Sequence, residues 1–556
     1  MLLKRLLLVL LLAILAGMVV GCEGDGIFLG TNKAVDGNDV PDDGDDDDDD
    51  NTPPPPVADD TTSLGTWITS YTDDNAEAAI SNGEQAYAAV LKLEKTGSNL
   101  AGTGTLYRVF EFGTTAADKV SVKASGTITG DDATFSITSA TNIALNDTAS
   151  WRLRFAGNYL VGAYRSVNGN NQQVRNGHAV WRKQTSPNLN GAWVSAYSDA
   201  RGTAAMPGRD RTAAMVLTHD TSTQTLSGTG NLIEQLPGQA PLDLGFNIVR
   251  STVSTPQVGF TMGDLDMASN EVDWYGLASN GLVVGAFAQY DVADRLIRAG
   301  HAKWYAAPDA GPTAVNATWA TSFCDAGVAT GIDPSCYLSS LTLQAGEGNV
   351  VTGSGDLIDA GLDISTVQSL TIEGGTIIGS HVTLHARQPL TRDVFIWDLR
   401  IASSVMVGSY QLRDAADQFI SSGTAEWRKQ RVAPSPTGTW VVAYYDRISP
   451  QTSSLTQHAL VNVTAQAVDG TLSGNGALRY MNGETGRRLF NLVSSSTIGK
   501  DITWVWRGTD LFGDTTWRLR HAGDFLYGVY ENLTSAGNLE SMGTAMWIRT
   551  STTTSL

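Results

Sequence analysis

Four aspartates stand at one place in a pattern that recurs along the 556-residue chain: Asp73, Asp199, Asp325 and Asp446, each six residues after a tryptophan. Two residues before each stands an aromatic: Tyr71, Tyr197, Phe323 and Tyr444. Residues two apart in an extended chain share a face, so each pair presents one carboxylate and one ring to the same space. At the mouth of a small barrel such a pair would bind a ligand or a cation. The plainer reading has the Asp capping a turn through its own backbone and the ring filling core.

The other reactive side chains are few. Cys324 and Cys336 lie twelve apart. Outside the cytoplasm such a pair is most simply a disulfide closing a loop, worth about 3 kcal/mol by loop entropy. A metal site is the minor alternative, since no His lies near either cysteine. His178 and His301 occupy equivalent positions in two copies of the pattern, where Thr424 and Thr544 stand in the others, so all four read as strand-surface residues. His381 and His385 share one face of a strand, but four strand residues span ~13 Å, too far for one metal. The chain holds no Gly-x-Ser-x-Gly elbow, no His-Glu-x-x-His, no P-loop and no haem-attachment pair. A carboxylate pair for glycoside hydrolysis leaves no local signature, because its members need not be near in sequence. Neither a metal nor a cofactor is read from the sequence, and duplicated domains without a distinctive polar motif argue against catalysis.

The elements that carry these residues repeat four times. Twelve of fourteen tryptophans fall into three recurring positions: Trp67, Trp193, Trp319 and Trp440; Trp151, Trp274, Trp397 and Trp517; and Trp181, Trp304, Trp427 and Trp547. The gap from the second to the third is 30 in every copy. Glycines keep the same register: the pairs Gly102/Gly104, Gly228/Gly230, Gly353/Gly355 and Gly474/Gly476, then Gly162, Gly285, Gly408 and Gly528, then Gly177, Gly300, Gly423 and Gly543. Within each copy, runs of β-branched and aromatic residues are cut by Gly, Asn, Asp and Ser at intervals of roughly 8–12, the spacing of an all-β sandwich or barrel. A repeat of this length exceeds one propeller blade of ~40–50 residues and suits about eight strands closed into a meander barrel, which leaves no sheet edge. The expected fold class is therefore all-β, four tandem antiparallel meander β-barrels in a row, with β-sandwiches as the alternative. The expected divisions are 1–21, 22–60, 61–186, 187–311, 312–433 and 434–556.

The chain opens differently. Lys4 and Arg5 precede an apolar run from Leu6 to Val20 that ends in Val19-Val20-Gly21-Cys22. The run is shorter than the ~20 apolar residues of a spanning helix. It resembles the lipobox of bacterial lipoproteins, which implies a signal peptide over residues 1–21 and a lipid on Cys22. In that family an Asp after the Cys favours inner-membrane retention. Glu23 stands here, so the resemblance implies outer-membrane delivery, with the periplasmic or surface face left open. Several acyl chains on one residue supply the two hydrophobic signals that stable anchoring needs.

Residues 23–60 hold fourteen acidic groups against Lys33 alone, and include Asp45 to Asp50 and Pro53 to Pro56. Like charges and prolines extend a chain, so this stretch reads as a spacer, with a weak calcium sponge as the alternative. The whole chain carries −20, but residues 61–556 only −9, with no basic stretch to track a phosphate backbone. Nucleic acid is not an expected partner.

Gly65-Thr66-Trp67 and Gly438-Thr439-Trp440 resemble the Gly-x-Trp that opens the first strand of lipocalins and avidins, and Leu226-Ser227-Gly228-Thr229-Gly230 resembles an avidin second strand. The resemblance covers about a dozen positions per copy; copy three opens Ala317-Thr318-Trp319 and lacks the glycine. It implies a barrel, plugged at one end by a base packed over the first Trp, with Arg182, Arg428 and Arg549 as the matching candidates. It implies no particular ligand. The expected function is an envelope lipoprotein whose barrels bind an apolar small molecule, a glycan or a protein. The alternatives are a scaffold or adhesion protein that uses its outer faces, and an envelope glycan hydrolase.

Overall fold

The computed structural model describes residues 61–550 apart from 77–85, 110–117, 141–146, 200–208, 237, 264–270, 291–295, 309–310, 363, 431–434, 447–455, 481–487 and 509–513. The expected signal peptide, Cys22 and the acidic stretch lie outside the described residues. The described chain forms four antiparallel barrels of eight strands each, in chain order, with every strand paired to the next and the eighth back to the first. Barrels one and three add a two-residue strand, Asn75–Ala76 and Gly327–Val328, on the eighth strand.

Alternation puts the recurring tryptophans inside. In the last strand of barrel one, Gln173–Lys183, Ala179 and Trp181 point into the core while His178 and Arg182 point out. The second and third tryptophans meet edge to face in every barrel: Trp151–Trp181 at 5.5 Å, Trp274–Trp304 at 5.4 Å, Trp397–Trp427 at 5.3 Å and Trp517–Trp547 at 5.2 Å between ring centres. That contact between the sixth and eighth strands is why the 30-residue gap is constant. Such pairs contribute about 0.5–1.5 kcal/mol beyond the area they bury. The Gly-x-Gly pairs mark where the third strand crowds the second: a β-carbon on Gly353 or Gly355 would run into the carbonyl oxygens of Thr342 and Ser340.

The first Trp closes one end of each barrel, its indole N–H donating to a backbone carbonyl three or four residues upstream: Leu64, Leu189, Val315 and Pro436. A cation lies over it in three barrels, and here the expected residues need correction. Only Arg549 holds the expected place, 4.4 Å from the Trp440 ring centre. In barrels one and three the base is the next residue, Lys183 over Trp67 and Lys429 over Trp319, each at 5.9 Å. The reason is the two-residue period of a strand. Trp181 and Trp427 face inward, so Arg182 and Arg428 face outward and the residue after each turns back in.

The barrels are tandem in the chain but form a ring rather than a row in space. The first strand of barrel one (Thr62–Thr72) packs on the seventh strand of barrel two (Leu282–Tyr290). The first strand of barrel two (Gly191–Ser198) packs likewise on Val405–Arg413 of barrel three. That of barrel three (Ala317–Cys324) meets Phe525–Leu533 of barrel four, and that of barrel four (Gly438–Tyr445) returns to Tyr159–Asn168 of barrel one. One head-to-tail interface is thus used four times and closes. Each of the four includes apolar contacts: Ile68 and Val90 lie with Leu282 and Val284, Val194 with Val405, Leu338 with Val529, and Val441 with Val161. Strands covered on both faces lose the in–out alternation, and Leu282–Tyr290 is buried at every residue but its last.

Candidate functional site

Among the described residues, side chains fill the inside of each barrel. Trp, Phe, Tyr and Leu side chains from all strands form one continuous core per barrel. Barrel four adds Trp504 and Trp506, the two tryptophans outside the recurring scheme, both buried inward from the strand Asp501–Gly508. Barrel one keeps an internal cavity of about 40 Å³ between Tyr71, Arg108, Trp151 and Arg175, room on the scale of a single water. Among the described residues, the ligand space expected inside a small barrel is taken by side chains.

Each recurring Asp sits at the end of its barrel opposite the first Trp, at the neck of the first long loop; Asp73, Asp325 and Asp446 are buried, and Asp199 has its carboxylate covered. Asp325 accepts a hydroxyl from Tyr410 at 2.8 Å, another from Tyr337 at 3.3 Å, and the backbone N–H of Ser335 at 2.8 Å. Asp73 accepts the hydroxyls of Tyr164 and Tyr87 and pairs with Arg175 at 3.3 Å. Asp446 accepts from Tyr530 at 2.6 Å and from Gln457 at 2.9 Å. Barrel two departs: Phe287 stands where the others carry the seventh-strand tyrosine, and Asp199 is held by Arg211 and by Arg298 at 3.1 Å. Burial pushes the Asp325 carboxyl up, and burial together with Asp325 pushes the Tyr410 phenol up, so Tyr410 stays a donor.

The partner of the Asp was missed in the sequence, although its signal is there. Tyr164, Phe287, Tyr410 and Tyr530 each lie 13 residues after the second Trp. Each stacks obliquely on that Trp, at 4.5, 5.1, 4.8 and 4.6 Å. The recurring glycine of the eighth strand explains itself here, because a β-carbon on Gly177, Gly300, Gly423 or Gly543 would touch the facing ring at 2.6–2.9 Å. Tyr71, Tyr197, Phe323 and Tyr444 are core residues set edge-on to the second Trp. Cys324 and Cys336 face each other on the first two strands of barrel three and are disulfide-bonded.

The larger space lies between the barrels. A cavity of about 620 Å³ is lined by residues of all four: Thr72 and Asp74 of barrel one, Ser198, His301 and Lys303 of barrel two, Ser322, Thr424 and Glu426 of barrel three, and Thr544 of barrel four. It also reaches Asp73, Asp199, Tyr197 and Phe323, half of the recurring Asp and aromatic positions. Outward positions of the first and eighth strands build this wall, as ring closure turns those strands toward a common centre. The equivalent eighth-strand residues His301, Thr424 and Thr544 stand together on it.

The charges on this wall are paired. Asp74 binds Nδ1 of His178 at 2.6 Å. Burial pushes the His178 imidazole down, Asp74 more than reverses that, and its pKa ends above the ordinary value. His301 is pushed down to about 4 by burial, then by Lys303 and His178. Glu426 accepts from Tyr305 of barrel two at 2.6 Å and Tyr527 of barrel four at 3.3 Å, and pairs with Arg428 at 2.8 Å and Lys303 at 3.8 Å. Burial opposes its charge, yet Arg428 and Lys303 hold its carboxyl down at about 2. One carboxylate thus ties three barrels together. Among the described residues no cluster of three or more His, Cys, Asp or Glu has the geometry of a metal site.

No protein-family model matches the chain, and no curated protein matches it. Among solved structures it is similar to transferrin-binding protein B of Neisseria meningitidis, at 11% identity over 71% of this chain and 84% of that one, with a TM-score of 0.20. A variant of transferrin-binding protein B from Haemophilus parasuis matches at 11% identity over 87% and 94%, with a TM-score of 0.20. A DUF3598-family protein from Nostoc punctiforme matches at 12% identity over 43% and 96%, with a TM-score of 0.16. Nothing about the function of this chain rests on similarities at these scores.

Proposed function

We propose that the chain is an envelope lipoprotein held in the outer membrane through lipid on Cys22, and that its ring of barrels binds a ligand in the cavity where the four barrels meet. The observation that carries this reading is a contrast. Among the described residues side chains fill the barrel interiors, while side chains from every barrel converge on one polar cavity of about 620 Å³, within the range of ligand sites. The closed ring supports a single binding body over a rod of independent modules, because each barrel buries apolar strand faces against two others. The pairing of Glu426 with Arg428 and Lys303 argues against that residue as the general acid of a hydrolase. A general acid must hold a proton near neutral pH, and Glu426, held at about 2, does not.

Two measurements test the reading. Cys22→Ser should move the protein from the membrane to the soluble fraction and abolish palmitate labelling; retention with undiminished label would refute the anchor. Native mass spectrometry of the full chain, extracted from its own cells, should show a bound mass that Thr424→Phe removes. A bound mass indifferent to every cavity substitution would refute the site.

A further inference from the structure

We infer that the cavity between the barrels takes a neutral, hydroxyl-rich ligand, an oligosaccharide, with His301 and Lys303 of barrel two and the hydroxyls of Ser322 and Thr424 of barrel three as its hydrogen-bonding contacts. This rests on the cavity being the binding site and adds the chemistry of the occupant.

The lining decides the class. Ser322 and Thr72 line it, and each hydroxyl is a short, rotatable group with one donor and two acceptor lone pairs; Ser198, which donates to Asp210, and Thr424, 3.3 Å from Ser198, keep acceptor lone pairs toward it. That matches a ligand whose surface is itself hydroxyl. A polyanion would need cations whose charge is uncompensated, and Lys303 lies 3.8 Å from Glu426, which balances its charge while leaving its N–H groups free to donate. A polycation would need spare carboxylates, and Asp74 is bound to His178, Asp199 to Arg211 and Arg298, and Asp73 to Arg175. An apolar ligand would leave the His301 ring and the Ser322 hydroxyl dry, at about 1–3 kcal/mol for each neutral group.

His301 is the most informative residue on this wall. It lines the cavity and makes no hydrogen bond to any described residue. Burial and Lys303 hold its imidazole down at about 4, so near neutral pH one ring nitrogen donates and the other accepts. A group that gives and takes one hydrogen bond, beside an ammonium with donors to spare, suits vicinal hydroxyls. The site is shared between barrels, and no barrel carries it alone. His301 and Lys303 come from barrel two, Ser322 and Thr424 from barrel three, and the interface between these two barrels brings them to one wall.

The test uses the full chain, extracted in detergent, on an array of neutral, acidic and amino-bearing oligosaccharides. Hits are followed by calorimetry. At least one neutral glycan should bind saturably, and His301→Leu and Thr424→Val should each weaken it about tenfold, the cost of one lost buried hydrogen bond, with melting temperature preserved. If either variant fails to fold, Lys303→Gln and protection of Lys303 from acetylation by the bound glycan replace it. Binding of charged glycans alone, or of no neutral glycan, overturns the inference. If these variants then still remove the natively bound mass, the cavity remains the site and only the ligand class fails. If a neutral glycan binds but no cavity variant affects it, both readings fail.

Discussion

Tyr410 donates its phenolic hydroxyl to Asp325 at 2.8 Å, across 85 residues of chain and from the seventh strand of its barrel to the end of the first. The same pair joins Tyr164 to Asp73 and Tyr530 to Asp446. Barrel two has lost the hydroxyl at Phe287 and supplies Arg211 and Arg298 instead. A buried carboxylate keeps several donors in each case, by two chemical solutions.

Tyr410→Phe should therefore destabilise barrel three by about 1–3 kcal/mol, the cost of leaving a buried acceptor with one donor fewer. Hydrogen exchange resolved by barrel would show faster opening confined to that barrel and its neighbours. Protection equal to the parent would show that Tyr337 and the Ser335 backbone N–H satisfy Asp325 without Tyr410.

Gly423→Ala should destabilise by about 1–3 kcal/mol through overpacking, since the added carbon meets the Tyr410 ring at 2.9 Å. Adding Tyr410→Ala should recover part of the loss. Strict additivity in the double-mutant cycle would show that the glycine is there for another reason.

Reduction of Cys324–Cys336 should lower stability by about 3 kcal/mol from loop entropy. The loss should reach two barrels, because both cysteines lie in the apolar contact with Tyr527 and Val529 of barrel four. Calorimetry with and without reductant, on the parent and on Cys324→Ala/Cys336→Ala, separates the bond from the reagent. A change limited to barrel three would place the disulfide outside the ring interface.

His521 gives barrel four a pH dependence. Its ring is buried beside Trp440, where barrel one places Phe155 over Trp67. Burial and then Arg549 push it down to about 4. The unfolded chain takes a proton near pH 6.5 and the folded one only near 4. Stability is thus full above the unfolded value and falls as pH drops through that window, by up to roughly 3 kcal/mol. His521→Phe should flatten this fall between pH 6.5 and 4. An unchanged slope would trace the dependence to other groups.

Removing barrel four, by ending the chain at residue 433, would bare the outer strand faces of barrels one and three that it covers. An opened head-to-tail interface finds its partner on another molecule, so light scattering after size exclusion should show association. A monodisperse, stable monomer would mean that ring closure contributes little.

Much of this molecule was legible in its residues because a strand's two-residue period and a barrel's inward tryptophans leave local marks. The constant gap from Trp397 to Trp427 reports a single ring-on-ring contact, and Cys324 and Cys336 flank one loop between adjacent strands. The base over the first Trp was misplaced by one residue, because composition near Trp181 does not say which of Arg182 and Lys183 turns inward; the pleat does. The recurrence of Tyr410 thirteen residues after the second Trp marks its ring, but nothing local pairs it with Asp325, and the wall that joins His301 to Thr424 has no local sign. The hydroxyl and the carboxylate lie 85 residues apart, and the facing strands of that wall come from different barrels. Closure of the ring depends on shape and on the outer faces of strands such as Leu282–Tyr290, where apolar residues read alike as core or as interface. Repeat, strand and barrel are local consequences of side-chain periodicity; the cavity exists only because four interfaces close on one another.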